Sequence, residues 1–190
     1  MVLEAVAVIL GLLYLVLAIR EQRSAWVSGG AASLLFLLLF WQASLPMQAL
    51  LQVYYVLVSI HGFLHWSPNR AAATPRPHHA SARTHLLYVA AWLVATGLIL
   101  TLRAGADTLP VVLDSVTSLG GVLATWLVAR KVLESWLYWI VIDLLSMLLY
   151  LQSGLYATAA LYALYTILAY VGFREWRKHL KTTSTLAASA

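Results

Sequence analysis

Apolar runs of about 17–20 residues alternate with short polar stretches along the chain, at Leu3–Ile19, Trp26–Ala43, Met47–Trp66, Leu86–Leu102, Val111–Ala129, Trp136–Gln152 and Leu155–Phe173. A run of that length spans the roughly 30 Å of bilayer hydrocarbon as an α-helix, so the pattern predicts seven transmembrane helices. The one long connection, Ser67–His85, holds Pro68, Pro75 and Pro77 among Ala, Ser, Arg and His and reads as a flexible linker. The tail from Lys181 to Ala190 reads as disordered. The expected fold class is an all-α integral membrane protein with the lipid bilayer as its first partner.

Composition sharpens this. With 62% hydrophobic and 10% charged residues and a mean hydropathy of +0.83, the chain departs far from soluble usage. The absence of cysteine removes disulfides and thiolate metal sites. The formal net charge of +5 does not point to nucleic acid, because the basic residues sit in short clusters between apolar runs. Eleven of the 12 fall on one side: Arg20 and Arg23; Arg70, Arg76 and Arg83; Arg130 and Lys131; Arg174, Arg177, Lys178 and Lys181. Only Arg103 falls on the other. By the positive-inside rule the N-terminus is outside and the C-terminus cytoplasmic. The first run lacks a basic leader and keeps Glu4 near its start, so it reads as a first transmembrane helix and not as a cleaved signal.

An internal repeat organises the helices. At an offset of 110, Glu4 meets Asp114, Gly11 meets Gly121, Arg20 meets Arg130, Trp26 meets Trp136, Tyr55 meets Tyr165, Gly62-Phe63 meets Gly172-Phe173 and Trp66 meets Trp176. Two three-helix repeats keep the same orientation only if one helix separates them. The expected order is therefore 3+1+3: a first repeat (1–66), a cytoplasmic linker (67–85), a linker helix with outer loop (86–110), a second repeat (111–176) and a cytoplasmic tail (177–190). Parallel repeats of this kind are associated with transporters that bind substrate near mid-membrane.

The repeat also sorts the polar and aromatic residues. Trp26, Trp66, Trp136 and Trp176 are duplicated at predicted cytoplasmic helix ends and read as an interfacial aromatic belt. Trp41 and Trp139 break the symmetry, facing Leu151 and Gly29 in the other repeat; Asp143 faces Ser33, and Gln52 faces Tyr162. One substrate needs one asymmetric site, whereas a scaffold can be duplicated. Trp136, Trp139 and Asp143 share a helical face, and a carboxylate inside an apolar span usually faces a cavity, a partner or a substrate path. Aromatic faces can hold a flat heterocycle or a cation, and Gln, Tyr and Asp can bond hydroxyls.

Plainer readings stand beside these. Asp143 can bond a neighbouring Tyr or Ser between helices, and Gln52 can be interhelical glue. Tyr54, Tyr55, Tyr162 and Tyr165 can be packing aromatics. Glu4 and Asp114 read as helix-start carboxylates. His61 and His65 read as solvated or linker-facing, and His78, His79 and His85 have no spacing that argues for a metal. The chain has no G-x-S-x-G, H-E-x-x-H, P-loop or Gly-rich dinucleotide turn, so neither an enzyme nor a cofactor is expected.

The pattern Leu51-Gln52-x-x-Tyr55, Gly62-x-x-x-Trp66, Glu134-x-Trp136-x-x-Trp139-x-x-x-Asp143, Leu161-Tyr162-x-x-Tyr165 and Gly172-x-x-x-Trp176 resembles the PnuC family of vitamin transporters over residues 1–178. The resemblance implies a trimeric seven-helix protein of the bacterial inner membrane, related to the sugar-transporting SWEET proteins. It implies uptake of nicotinamide riboside by facilitated diffusion, with a cytoplasmic kinase trapping the riboside for NAD synthesis. The family's tryptophan motif matches Trp136 and Trp139, with Trp139 the better candidate for stacking on the pyridine. Gln52 matches the glutamine assigned to the ribose, and Tyr162 and Tyr165 match the seventh-helix aromatics. The chain departs from some members in carrying Ser135 where they carry an amide. Relatives transport thiamine, riboflavin or deoxynucleosides, so thiamine is the alternative substrate, and a membrane sensor that binds without transport is the alternative class.

Overall fold

The computed structural model describes residues 2–42, 46–66, 76–102, 109–152 and 156–188. Among them the chain forms seven helices: α1 (Val2–Ile19), α2 (Ser24–Gln42), α3 (Pro46–His65), α4 (Ala82–Leu102), α5 (Leu109–Ala129), α6 (Ser135–Gln152) and α7 (Tyr156–Ala188). Four of them, α2, α4, α5 and α6, are long and apolar enough to cross a membrane, and shorter apolar helices cover Ala5–Ile19 and Ala49–His65. Two hydroxyls of α5 turn back on their own helix. Thr117 donates to Leu113 O at 2.8 Å and Thr125 to Gly121 O at 2.8 Å, which satisfies them where no water is at hand.

Two boundaries differ from the hydropathy pattern. Helix α4 starts at Ala82, four residues before the apolar run, because Ser81 caps it: the Thr84 amide donates to Ser81 Oγ at 3.1 Å. Helix α7 continues through the basic segment to Ala188 where a disordered tail was expected. After Gly172 the chain holds no glycine or proline, and Arg174–Lys181 is rich in good helix formers.

The chain divides into two compact units. The first comprises Met1–Pro77, Ala129–Lys131 and Lys178–Ala190; the second comprises His78–Val128 and Val132–Arg177. In the first, α2 packs on both α1 and α3. Ser28 Oγ donates to Leu10 O at 2.7 Å, and Arg23 Nε donates to Phe63 O at 2.8 Å with its guanidinium over the Phe63 ring. In the second, Trp92 of α4 lies against Gly120 and donates its indole N–H to Val116 O at 2.9 Å.

The duplicated tryptophans are core residues and not an interfacial belt. None of Trp26, Trp66, Trp136 and Trp176 is more than 4% exposed. Trp26 meets Trp66 edge to face with centroids 5.3 Å apart and planes at 88°; Trp136 meets Trp176 at 5.3 Å and 89°. Each inner indole lies on a glycine. A Cβ on Gly62 would run into the Trp26 ring, and one on Gly172 would come within 2.7 Å of Trp136. Small residues let membrane helices approach closely, and here the space is filled by a ring from the facing helix.

The described end of the Ser67–His85 linker is held in place. His78 and Val132 form a parallel bridge, with the Leu133 amide donating to His78 O at 2.9 Å. Glu134 accepts from the Ala80 amide at 3.3 Å and pairs with His79 Nδ1 at 2.6 Å. Burial by itself would raise the Glu134 carboxyl, but the His79 hydrogen bond, its own amide and that of Ala80, and the His79 charge outweigh it and hold the group below its ordinary value. A depressed carboxyl stabilises the folded segment above its unfolded pKa and loses that contribution as pH falls through the folded one. Amide-exchange protection at Leu133, corrected for intrinsic rate, should therefore fall as pH drops below the ordinary glutamate range. Glu134→Gln should remove most of that pH dependence.

Candidate functional site

Helix α6 is two-faced. Trp136, Trp139, Asp143, Ser146 and Tyr150 recur at helical spacing on its covered side, while Leu137, Val141, Leu144, Leu148 and Leu151 are exposed on the other. Asp143 is only 3% exposed. It lies within electrostatic range of both Tyr162 and Tyr165 of α7. Tyr162 in turn packs against Tyr165 at 5.5 Å and 69°, and against Tyr150 at 5.1 Å and 38°. The second unit thus gathers one carboxylate and three phenol rings, with half-buried Trp139 one turn from Asp143 on the same face.

Sequence reasoning selected Trp139, Asp143, Tyr162 and Tyr165 but passed over Tyr150. The signal was present: Tyr150 lies seven residues after Asp143, two turns along the same face. Trp136 belongs to the packed Trp176 pair, its ring seated on Gly172.

In the first unit, Gln52 is buried on α3 and Tyr55 lies three residues on, on the same face. Tyr55 pairs with Tyr54 at 5.6 Å and lies near Tyr14 of α1, a residue that sequence reasoning did not single out. Tyr14 leans edge-on against Trp26 at 5.6 Å. Trp41 is placed differently from the other candidates: it stands 72% exposed at the end of α2.

A buried carboxylate among phenols offers an acceptor for ligand hydroxyls or a partner for a cation. The Trp139 and tyrosine faces suit a flat, electron-poor ring, and the Gln52 amide both donates and accepts. Among the described residues no group of three or more His, Cys, Asp or Glu is arranged to hold a metal ion.

Known proteins share this chain's features over its length. The profile described as nicotinamide mononucleotide transporter matches residues 1–178. The nicotinamide riboside transporter PnuC of Escherichia coli (strain K12) is 27% identical over 214 residues, covering 98% of this chain and 90% of that protein. The protein of the same name from Shigella flexneri gives the same figures. The crystal structure of the vitamin B3 transporter PnuC has the same fold, with a TM-score of 0.72 at 23% identity over 95% of this chain and 82% of that one.

Proposed function

This chain belongs to the nicotinamide mononucleotide transporter family, and from that premise we propose that it carries nicotinamide riboside across the bacterial inner membrane. It is a multi-pass membrane protein with several apolar helices. Movement is facilitated diffusion, and a cytoplasmic kinase that phosphorylates the riboside keeps it inside. The observation that carries this reading is the Asp143, Tyr150, Tyr162 and Tyr165 cluster on the covered face that also bears Trp139. Nicotinamide riboside joins a flat, permanently cationic ring to a hydroxylated sugar. Aromatic faces beside a buried carboxylate match the first part, and Gln52 with the phenols matches the second.

The site lies in a 3+1+3 arrangement with the N-terminus outside, the C-terminus cytoplasmic and three copies assembled. The matched Trp26–Trp66 and Trp136–Trp176 pairs, 110 positions apart with the same separation and angle, support the two-repeat part of this reading. The proposed binding residues are Trp139, Asp143, Tyr150, Tyr162 and Tyr165 in the second unit, and Gln52 and Tyr55 in the first.

The test is flux. Liposomes carrying the purified protein and an internal riboside kinase with ATP should accumulate labelled nicotinamide riboside, and excess thiamine, riboflavin or nicotinamide outside should not block uptake. Accumulation of thiamine instead would keep the site and change the cargo. Calorimetric binding of the riboside without accumulation would make the protein a sensor.

A further inference from the structure

The turns that close α1 and α5 are alike in backbone and opposite in charge. Each holds a non-glycine residue in the left-handed region, Glu21 at φ 54° and Lys131 at φ 56°, 110 positions apart. The Gln22 amide closes on Leu17 O at 2.9 Å, and the Val132 amide closes on Leu127 O at 3.0 Å. This is the helix stop at which glycine is unstrained and any other residue is held at a cost. Strain of that kind persists where the side chain is needed.

Here both side chains are used. Lys131 Nζ pairs with Glu21 Oε2 at 2.7 Å, the two side chains being 9% and 15% exposed. The same ammonium stands 4.5 Å from the centroid of the Trp66 ring, whose indole donates to Ala129 O at 3.0 Å. The other Glu21 oxygen meets His179 Nδ1 of the α7 extension at 2.6 Å. Ala129–Lys131 thus cluster with the α1–α3 unit, although by sequence they belong to the second repeat.

We propose that the Glu21–Lys131 pair is a latch on the cytoplasmic side. Carried molecules leave at that end only when the 129–131 turn lets go of Glu21 and Trp66, and the pair sets how often it does so. This rests on the transport reading above. An ion pair suits the task better than more apolar packing would. Its attraction is largely offset by desolvation when seated, and its separated charges are accepted by water when released. The duplicated tryptophan pairs, by contrast, are buried apolar contacts that stay closed.

Because the chain has no cysteine, Ala129→Cys supplies a single thiol at a position 0% exposed when the turn is seated. The rate of its labelling by a soluble maleimide reads opening. We expect Glu21→Gln to raise that rate about tenfold, and Lys131→Met to do the same, as suits the loss of a partly buried charge-assisted bond. The double variant should be no faster than either single one, because two members of one contact are not additive. Unchanged labelling in both single variants, or effects that multiply, would overturn the latch. If the thiol disturbs folding, amide exchange at Val132 in chains keeping Ala129 reads the same opening and decides by the same pattern. Neither readout needs a substrate. Faster, non-additive labelling in a protein that accumulates no riboside would show that the pair holds the turn but sink the transport reading and with it the latch, whereas riboside accumulation with unchanged labelling would sink the latch alone.

Discussion

Trp136→Ala should lower the stability of the purified protein by about 3–5 kcal/mol, the usual loss when a large aromatic is truncated in a packed interior. Trp26→Ala should match it. Each ring fills the space between a glycine on the facing helix and the edge of a second tryptophan. Removing it leaves a void that close-packed helices relax into only partly. The glycines should show the converse effect. Gly62→Ala and Gly172→Ala each drive a Cβ into a buried ring and should cost about 1–3 kcal/mol. Thermal denaturation in detergent reads all four. Pairing Gly172→Ala with Trp136→Phe should recover part of the loss. A neutral Gly172→Ala would mean that the ring moves freely and the pair is not a fixed packing unit.

Trp139→Ala should weaken nicotinamide riboside binding by about 1–3 kcal/mol, roughly 5- to 150-fold in Kd, and Gln52→Ala by a similar amount. In the proposed site the first variant would lose a face for the cationic ring, and the second would leave a ribose hydroxyl unpaired. Trp41→Ala should change binding less than twofold, in keeping with its 72% exposure and its place at the end of α2. Calorimetric titration of the folded variants checks this ordering. Equal losses at Trp41 and Trp139 would show that burial is a poor guide to the site and that the asymmetry between the repeats selects both.

Two groups of residues show what could be read before the fold. Asp143, Trp139 and Tyr150 share a face because helical geometry places residues four and seven apart on one side, and a carboxylate inside an apolar run has few places to go. Tyr162 and Tyr165 could be named as candidates, but their meeting with Asp143 required two helices to be placed side by side. Lys131 drew attention only as a loop charge and Glu21 not at all, because their pairing spans 110 positions and depends on two left-handed turns.

By itself the sequence determined the membrane class, the positions of the apolar runs and the repeat of rare residues. Each of these depends on residue type and spacing along one chain, and helix periodicity and bilayer thickness act locally. Tertiary structure alone decided that the four duplicated tryptophans are core and not belt, since a tryptophan at a helix end has the same local pattern either way and its burial depends on a glycine arriving from the facing helix. It also decided which charges are partnered and where α4 begins, through contacts between segments distant in sequence and the Ser81 cap. Packing and ion pairing depend on distance in space, which the order of residues along the chain does not state.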